Sequence, residues 1–205
     1  MRYIILSLAI FSLVSCQTGH VKNKPIIQTK GSIIYLADNL DEQDKLGWCI
    51  DTDGKDFSDT LQAHSCKPEG NDVLFRYDTK TLQICSVTYP GYCAAMIGGP
   101  RANMTISLIK SNSASIDQKF IYDKPSGEFR PKSNLNLCLA VSRTSDSAGP
   151  YMSRKLTLKP LLETKRELKQ WVIKKWVFKS KIGRTRRRWL TCYRSGVEVG
   201  GQWEI

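Results

Sequence analysis

An aromatic or apolar residue followed by cysteine returns three times in this sequence, at Trp48-Cys49, Tyr92-Cys93 and Leu137-Cys138. The three cysteines lie 44 and 45 positions apart. A large aromatic residue closes each copy at a similar period, and these closing residues are Phe75, Phe120 and Trp171. Such a period, with short apolar runs, is typical of folds assembled from repeated small units. Because no unit of that size buries its own apolar face, we expect three units to share one hydrophobic core.

Short β-rich runs alternate with turn residues between positions 31 and 173. Turn signals such as Asp53-Gly54 and Pro90-Gly91 separate them at intervals of about 8–12 residues, which indicates an all-β fold. We predict four strands in each unit and a brief helical turn within Glu163–Lys169. The predicted strands are Ser32–Ala37, Gly47–Asp51, Thr60–His64, Val73–Tyr77, Thr81–Val87, Tyr92–Ile97, Met104–Lys110, Lys119–Tyr122, Gly127–Pro131, Leu137–Ser142, Leu156–Leu161 and Gln170–Ile173.

The start of the chain has the pattern of an export signal. Residues 1–15 combine a charged start with an apolar run too short to span a membrane, which predicts a signal peptide. Leu13-Val14-Ser15-Cys16 resembles the lipobox of bacterial lipoproteins, which implies acylation of Cys16; an ordinary signal peptide is the alternative. Residues 16–30 are polar and are predicted to be a tether, and Gln17 resembles the pattern of lipoproteins sent to the outer membrane. We therefore expect an exported protein, lipid-anchored at the bacterial outer membrane or cell surface.

Six cysteines follow the signal segment. An even number behind an export signal predicts disulfides. Cys49 and Cys66 both belong to the first unit, so we expect them to pair. Cys85 and Cys93 are expected to pair across a hairpin that turns at Tyr89-Pro90-Gly91. Cys138 and Cys192 remain without an assigned partner.

The net charge of +12 is concentrated in the last part of the chain. Residues 31–173 hold 18 Lys/Arg and 17 Asp/Glu, whereas residues 174–205 hold nine and two. This tail interleaves aromatic and cationic side chains, which suits anionic polymers such as lipopolysaccharide, acidic phospholipid or sulfated glycan. A solvated appendage is the alternative. Nucleic acid is not an expected partner of an exported protein.

The closing aromatics carry a family resemblance. Residues 31–173 are similar to the ricin B-chain type of carbohydrate-binding β-trefoil, whose units end in Gln-x-Trp. The second unit has Gln118-Lys119-Phe120, while the first has Val73-Leu74-Phe75 and the third has Lys169-Gln170-Trp171, so the motif is degenerate. The resemblance implies an all-β β-trefoil of three repeats of about 45 residues. Signal and tether precede it, and the basic tail of residues 174–205 follows it.

The resemblance also implies one sugar pocket. In this family an Asp two residues after the cysteine of a unit accepts hydrogen bonds from two sugar hydroxyls. Asp51 holds that position in the first unit, whereas Ala95 and Ala140 replace it in the others. By the same resemblance Gln62 and Asn71 add hydrogen bonds and His64 is the stacking platform. We expect weak, avidity-dependent glycan binding.

Other interpretations stay open for the same residues. Asp51 could cap the turn that begins at Thr52, or bind a cation with Asp53, Asp56 and Asp59, although their spacing does not fit an EF-hand. Catalysis has little support, because an oxidised Cys66 beside His64 could neither attack nor bind zinc. We expect neither an enzyme nor a cofactor or metal. The alternative function is a non-catalytic targeting subunit of a toxin complex, similar to the A and C subunits of cytolethal distending toxins.

Overall fold

The computed structural model describes residues 21–40, 42–54 and 56–175 of the chain. These residues form an all-β structure with two short 3₁₀ helices, Ile116–Gln118 and Arg166–Leu168. The strands are β1 (Ile33–Leu36), β2 (Trp48–Thr52), β3 (Leu61–Ser65), β4 (Phe75–Asp78), β5 (Gln83–Ser86), β6 (Tyr92–Ala95), β7 (Ser107–Lys110), β8 (Phe120–Asp123), β9 (Glu128–Pro131), β10 (Leu137–Val141), β11 (Asp146–Ala148), β12 (Tyr151–Pro160) and β13 (Trp171–Lys174).

The strand pairing repeats three times. Three hairpins, β2–β3, β6–β7 and β10–β12, each lie within one unit. Three further antiparallel pairs, β4–β5, β8–β9 and β13–β1, join one unit to the next, and the last closes the set. The registers match, because the closing aromatics pair with Ser86, Pro131 and Leu36 respectively. This arrangement is a β-trefoil, so the predicted fold class is confirmed.

The closing aromatics lie in the shared core. Phe75 and Phe120 are fully buried and Trp171 is nearly so, and all three belong to one apolar cluster. Their backbone N–H groups make equivalent hydrogen bonds to the carbonyls of Ser32, Leu82 and Gly127. Burial of such rings contributes strongly to stability, and edge-to-face packing with neighbouring rings adds to it. The expected common core of three units is therefore present.

Two tyrosines tie the units together two positions after the closing aromatics. The Tyr77 hydroxyl donates to the Phe120 carbonyl at 2.8 Å, and the Tyr122 hydroxyl donates to the Trp171 carbonyl at 2.9 Å. Ile173 holds the third equivalent position, and it has no hydroxyl to continue the pattern. The threefold symmetry of the backbone is therefore only partly matched by its side chains.

Both predicted disulfides are present, Cys49–Cys66 and Cys85–Cys93. Each constrains one unit, and together they indicate an extracellular or exported protein. Cys138 is a buried free thiol, although it is equivalent to Cys49 in the β2–β3 hairpin. Cys192 lies outside the described residues.

The predicted strands are all found with shifted ends, and the largest departure is in the third unit. Its predicted strand Leu156–Leu161 begins earlier, at Tyr151, and forms an additional hairpin with β11. Polar, exposed residues build β11, so no apolar alternation marked it in the sequence. The early part of β12 also pairs with β3, which joins the third unit to the first. The predicted helical turn is the second 3₁₀ helix.

The expected tether is not free of the domain where the structure describes it. From residue 21 the chain lies along the first unit: the Ile26 N–H donates to the Lys45 carbonyl at 2.7 Å, and the Thr29 hydroxyl donates to the Lys67 carbonyl at 2.8 Å. Pro25 is buried against Gly47. Apolar contacts and hydrogen bonds therefore hold the described part of the predicted tether against the first unit.

The predicted signal peptide, Cys16 and the tail from residue 176 lie outside the described residues. Within the described part of the chain, no helix has the length and apolar character needed to cross a membrane.

Candidate functional site

The β2–β3 hairpin places the predicted sugar-binding residues on neighbouring strands. Asp51 is directly opposite Gln62, and Cys49 is opposite His64. Directly opposed residues of an antiparallel pair share a face, so Asp51 and Gln62 lie on one side of the hairpin. In the other two units the same pairing joins Ala95 to Ser107 and Ala140 to Thr157. These pairings establish the equivalence of Asp51 with the two alanines.

Asp51 is buried, with 1% of its surface exposed. The Lys67 ammonium lies 3.2 Å from its Oδ2, yet neither carboxylate oxygen has a hydrogen bond of good geometry to any described group. Burial raises the pKa of Asp51 to about 7; Lys67 opposes the increase and Asp72 adds to it. A buried carboxylate without hydrogen bonds is costly, so it requires an explanation beyond packing.

Lys67 bridges two carboxylates. Its ammonium contacts Asp72 as well as Asp51, and only 13% of its side chain is exposed. Burial alone would lower the pKa of Lys67, but the hydrogen bond to Asp72 and the charge of Asp51 outweigh it and raise that pKa. Lys67 is therefore a cation at neutral pH, and it closes over Asp51.

His64 lies beneath another ring. It is 6% exposed, its Nδ1 is 3.0 Å from the Ser65 carbonyl, and the same atom is 3.9 Å from Asp51 Oδ2. Burial lowers the pKa of His64, so the imidazole is neutral at pH 7 and Nδ1–H is assigned as donor to Ser65. Its ring meets Tyr151 edge-on at 5.7 Å between centroids. Of these two rings, the half-buried Tyr151 has more contact with solvent.

Gln62 and Asn71 lie at the margin of this cluster. The Gln62 amide donates to the Thr52 carbonyl at 3.3 Å, and the side chain is half-buried. Asn71 is exposed, and its carbonyl accepts hydrogen bonds from the Leu74 N–H and the Thr88 hydroxyl. The structure thus brings Asp51 and His64 together directly, with Gln62 opposite Asp51, whereas Asn71 is only next to Asp72 in the chain.

Two residues of this site, Lys67 and Tyr151, were not recognised in the sequence. Lys67 follows Cys66, which the disulfide holds beside Cys49, so its approach to Asp51 could have been inferred. Tyr151 comes from the third unit through the pairing of β12 with β3, for which the sequence has no signal.

The alternative roles of Asp51 do not fit this geometry. No group of three or more His, Cys, Asp or Glu side chains within the described ranges is placed to hold a metal ion. Asp59 accepts a hydrogen bond from the neighbouring Thr60 hydroxyl instead of facing Asp51. Asp51 also belongs to β2 and does not cap a turn.

Comparisons with known proteins identify the fold. No family model and no curated protein matches the sequence. A designed threefold-symmetric protein, ThreeFoil, is similar at a TM-score of 0.51 and 12% identity, over 69% of this chain and 96% of its own. The agglutinin from Abrus precatorius matches at 0.51 and 11%, over 74% of this chain and 48% of its own. A mosquitocidal holotoxin is similar at a TM-score of 0.50 and 14% identity, over 73% of this chain and 18% of its own. At these identities the similarity establishes the β-trefoil fold alone.

Proposed function

We propose that the protein binds carbohydrate, without catalysis, through the first unit around Asp51. The supporting observation is the buried carboxylate that lacks hydrogen bonds. The β-trefoil does not require it, because Ala95 and Ala140 occupy the equivalent positions in the same fold. A buried ionisable group with a strongly shifted pKa, at a position where packing does not need it, is characteristic of a functional site. The similarity to an agglutinin is consistent with a sugar ligand.

In the proposed complex, two sugar hydroxyls donate to Asp51. Lys67 leaves Asp51 and stays hydrogen-bonded to Asp72, which already holds its ammonium. The Gln62 and Asn71 amides supply further polar contacts at the margin. The apolar face of the sugar ring stacks on Tyr151, whose ring packs against His64. Tyr151 thus takes the stacking role that the sequence analysis assigned to His64 alone.

One small site of this kind gives weak binding, on the order of millimolar or about −4 kcal/mol. Useful attachment then depends on many copies on one surface. The proposed lipid anchor at Cys16, in an exported protein of the outer membrane, would supply them by raising the effective concentration.

Glycan-array binding of the wild type, Asp51→Asn and Asp53→Asn tests the proposal. Both variants remove one carboxylate from the same region, but only Asp51 belongs to the proposed site. We expect Asp51→Asn to lose at least tenfold in binding while Asp53→Asn binds like the wild type. Circular dichroism and a thermal melt establish that both variants are folded. Equal binding by folded Asp51→Asn and wild type would refute the site.

The second candidate is a non-catalytic targeting subunit of a toxin complex. Its support is that a β-trefoil region with a similar fold forms part of the mosquitocidal holotoxin. This candidate predicts a partner protein that co-purifies with the chain while no glycan is retained. Array binding without a stable partner would favour the carbohydrate-binding function.

A further inference from the structure

A cationic groove lies between the third unit and the segments that precede and follow β1, separate from the Asp51 site. A cleft of about 420 Å³ is lined by Lys22, Arg143, Lys165 and Arg166, together with Asp38 and Glu167. A neighbouring cleft of about 380 Å³ shares Arg143, Lys165 and Leu168 with it and adds Lys159 and Glu163. The two clefts therefore adjoin at these shared residues, and we name them together the third-unit groove.

The charges of the groove are only partly neutralised. Asp38 is occupied by the backbone N–H groups of Lys22, Asn23 and Leu40, so its carboxylate already has three hydrogen-bond donors. Glu167 is 4.0 Å from Lys165, an exposed ion pair that solvent screens. The side chains of Lys22 and Arg143 make no ion pair or hydrogen bond with another described residue. The groove therefore retains positive charge for a ligand.

The charges of the whole trefoil are distributed unevenly, with the excess of positive charge in the third unit. Residues 31–76 carry four Lys/Arg and ten Asp/Glu, whereas residues 127–173 carry nine and four. The net charge is therefore −6 in the first unit and +5 in the third, which favours approach of an anion to the third-unit side of the groove. The groove itself has five cationic and three acidic side chains, and this net excess of two positive charges attracts an anionic ligand.

We propose that the third-unit groove binds a linear acidic polysaccharide. Two adjoining clefts of about 420 and 380 Å³ offer more room than a single ion needs, and Val21, Leu40 and Leu168 offer apolar contact to the C–H faces of sugar rings. None of the described residues that line the groove is aromatic, so it has no platform for stacking the bases of single-stranded nucleic acid. The two disulfides also place the protein in a compartment where polysaccharide is the more available polyanion.

The test uses the full chain with a heparin decasaccharide as probe and a maltodextrin of equal length as the neutral control. Lysine acetylation, mapped by mass spectrometry, reports where the probe lies even when the basic tail also binds it. We expect heparin to protect Lys22, Lys159 and Lys165 at least fivefold. The exposed lysines of the second unit, Lys80, Lys110 and Lys124, should not be protected, and maltodextrin should protect none.

Paired variants give the second measurement. Arg143→Ser with Lys165→Ser removes two groove cations, and Lys110→Ser with Lys124→Ser removes two from the second unit. We expect the first pair to weaken heparin binding at least tenfold at 150 mM salt and the second pair less than twofold. If both pairs of variants weaken heparin binding equally, or heparin does not selectively protect the groove lysines from acetylation, the groove is not the binding site. An oligodeoxynucleotide that protects the same lysines more strongly would overturn the polysaccharide assignment. Asp53→Asn, a change outside both proposed sites, should leave heparin binding unchanged.

Discussion

The ammonium of Lys67 lies 3.2 Å from the carboxylate of Asp51 inside the first unit. Asp51 is almost completely buried, and Lys67 is the one cation that contacts it among the described residues. Asp72 holds the same ammonium from the other side. A ligand that pairs with Asp51 must therefore replace its contact with Lys67.

The stability of the protein should depend on the protonation of Asp51. Its pKa is about 7 in the fold against an ordinary value of 3.8, so between these pH values the folded state holds a proton that the unfolded chain has lost. Stability from this group is full below about pH 4 and is lost as the pH rises to about 7. At about 1.4 kcal/mol per pKa unit the loss is on the order of a few kcal/mol. Urea unfolding at pH 4.5, 6 and 7.5 measures it.

Asp51→Asn should remove this part of the pH dependence, and Asp53→Asn should retain it. The difference in unfolding free energy between wild type and Asp51→Asn isolates the effect from other carboxyl groups, since Glu128 and Asp78 have lowered pKa values and act in the opposite sense. Parallel curves for the wild type and Asp51→Asn would contradict the expectation.

The two tyrosine hydroxyls that join the units should each stabilise the fold. Tyr77→Phe and Tyr122→Phe leave the Phe120 and Trp171 carbonyls without these donors, at a cost of about 1–3 kcal/mol each. Because the two rings lie 6.1 Å apart, the costs should not be additive. Urea unfolding of both single variants and the double variant measures the coupling. Costs below 0.5 kcal/mol, within the usual range of surface substitutions, would show that the hydroxyls are not structural ties.

Gly47 should be far less tolerant of a side chain than Gly54. Both have positive φ, +83° and +105°, so alanine is strained at either by about 1–2 kcal/mol. A Cβ at Gly47 would lie 2.7 Å from Pro25 Cβ, whereas nothing lies within 4 Å of one at Gly54. Gly47→Ala should therefore cost about 1–3 kcal/mol more. Gly47→Ala should also speed proteolytic cleavage after Lys24 and Lys30. Equal losses of unfolding free energy in the two variants would mean that residues 21–31 are not packed against Gly47.

Cys138 should resist thiol reagents in the folded protein. It is fully buried, and burial raises its pKa to about 11, so little reactive thiolate forms at neutral pH. Iodoacetamide followed by peptide mapping should find Cys138 unmodified in the native state and fully modified in 6 M guanidinium. Rapid modification of the native protein would mean that the third unit opens readily.

The cysteine spacing and the closing aromatics predicted the three units, because each unit repeats the same local turns and apolar positions. The additional hairpin of β11 and β12 was missed, since β11 is short and mostly polar and exposed. The pairing of β12 with β3 was missed because it depends on contacts far apart in sequence. The packing of residues 21–31 was missed for a similar reason. Its apolar residues Pro25 and Ile27 follow no strand period but pack on the first unit.

The location of Asp51 two residues after Cys49 was predictable from the sequence, but its burial was not. Alternation along β2 places Trp48 and Ile50 in the core and suggests that Asp51 faces solvent. All five residues of β2 are nevertheless buried, and the Lys67 ammonium lies 3.2 Å from the Asp51 carboxylate. Lys67 follows Cys66 in the chain, and the Cys49–Cys66 disulfide brings it close to β2. The residue pattern of β2 alone does not predict such a contact.

The pairing of Ile33 with Lys174 has a consequence for biosynthesis. The ribosome releases β1 long before β13. The edge of β1 that pairs with β13 therefore stays unpaired until nearly the entire domain has been synthesised. Nascent or truncated chains expose that edge to neighbouring polypeptides, and open strand edges invite aggregation. Secretion of this protein in an unfolded state would postpone the pairing of β1 with β13 until the whole chain is available.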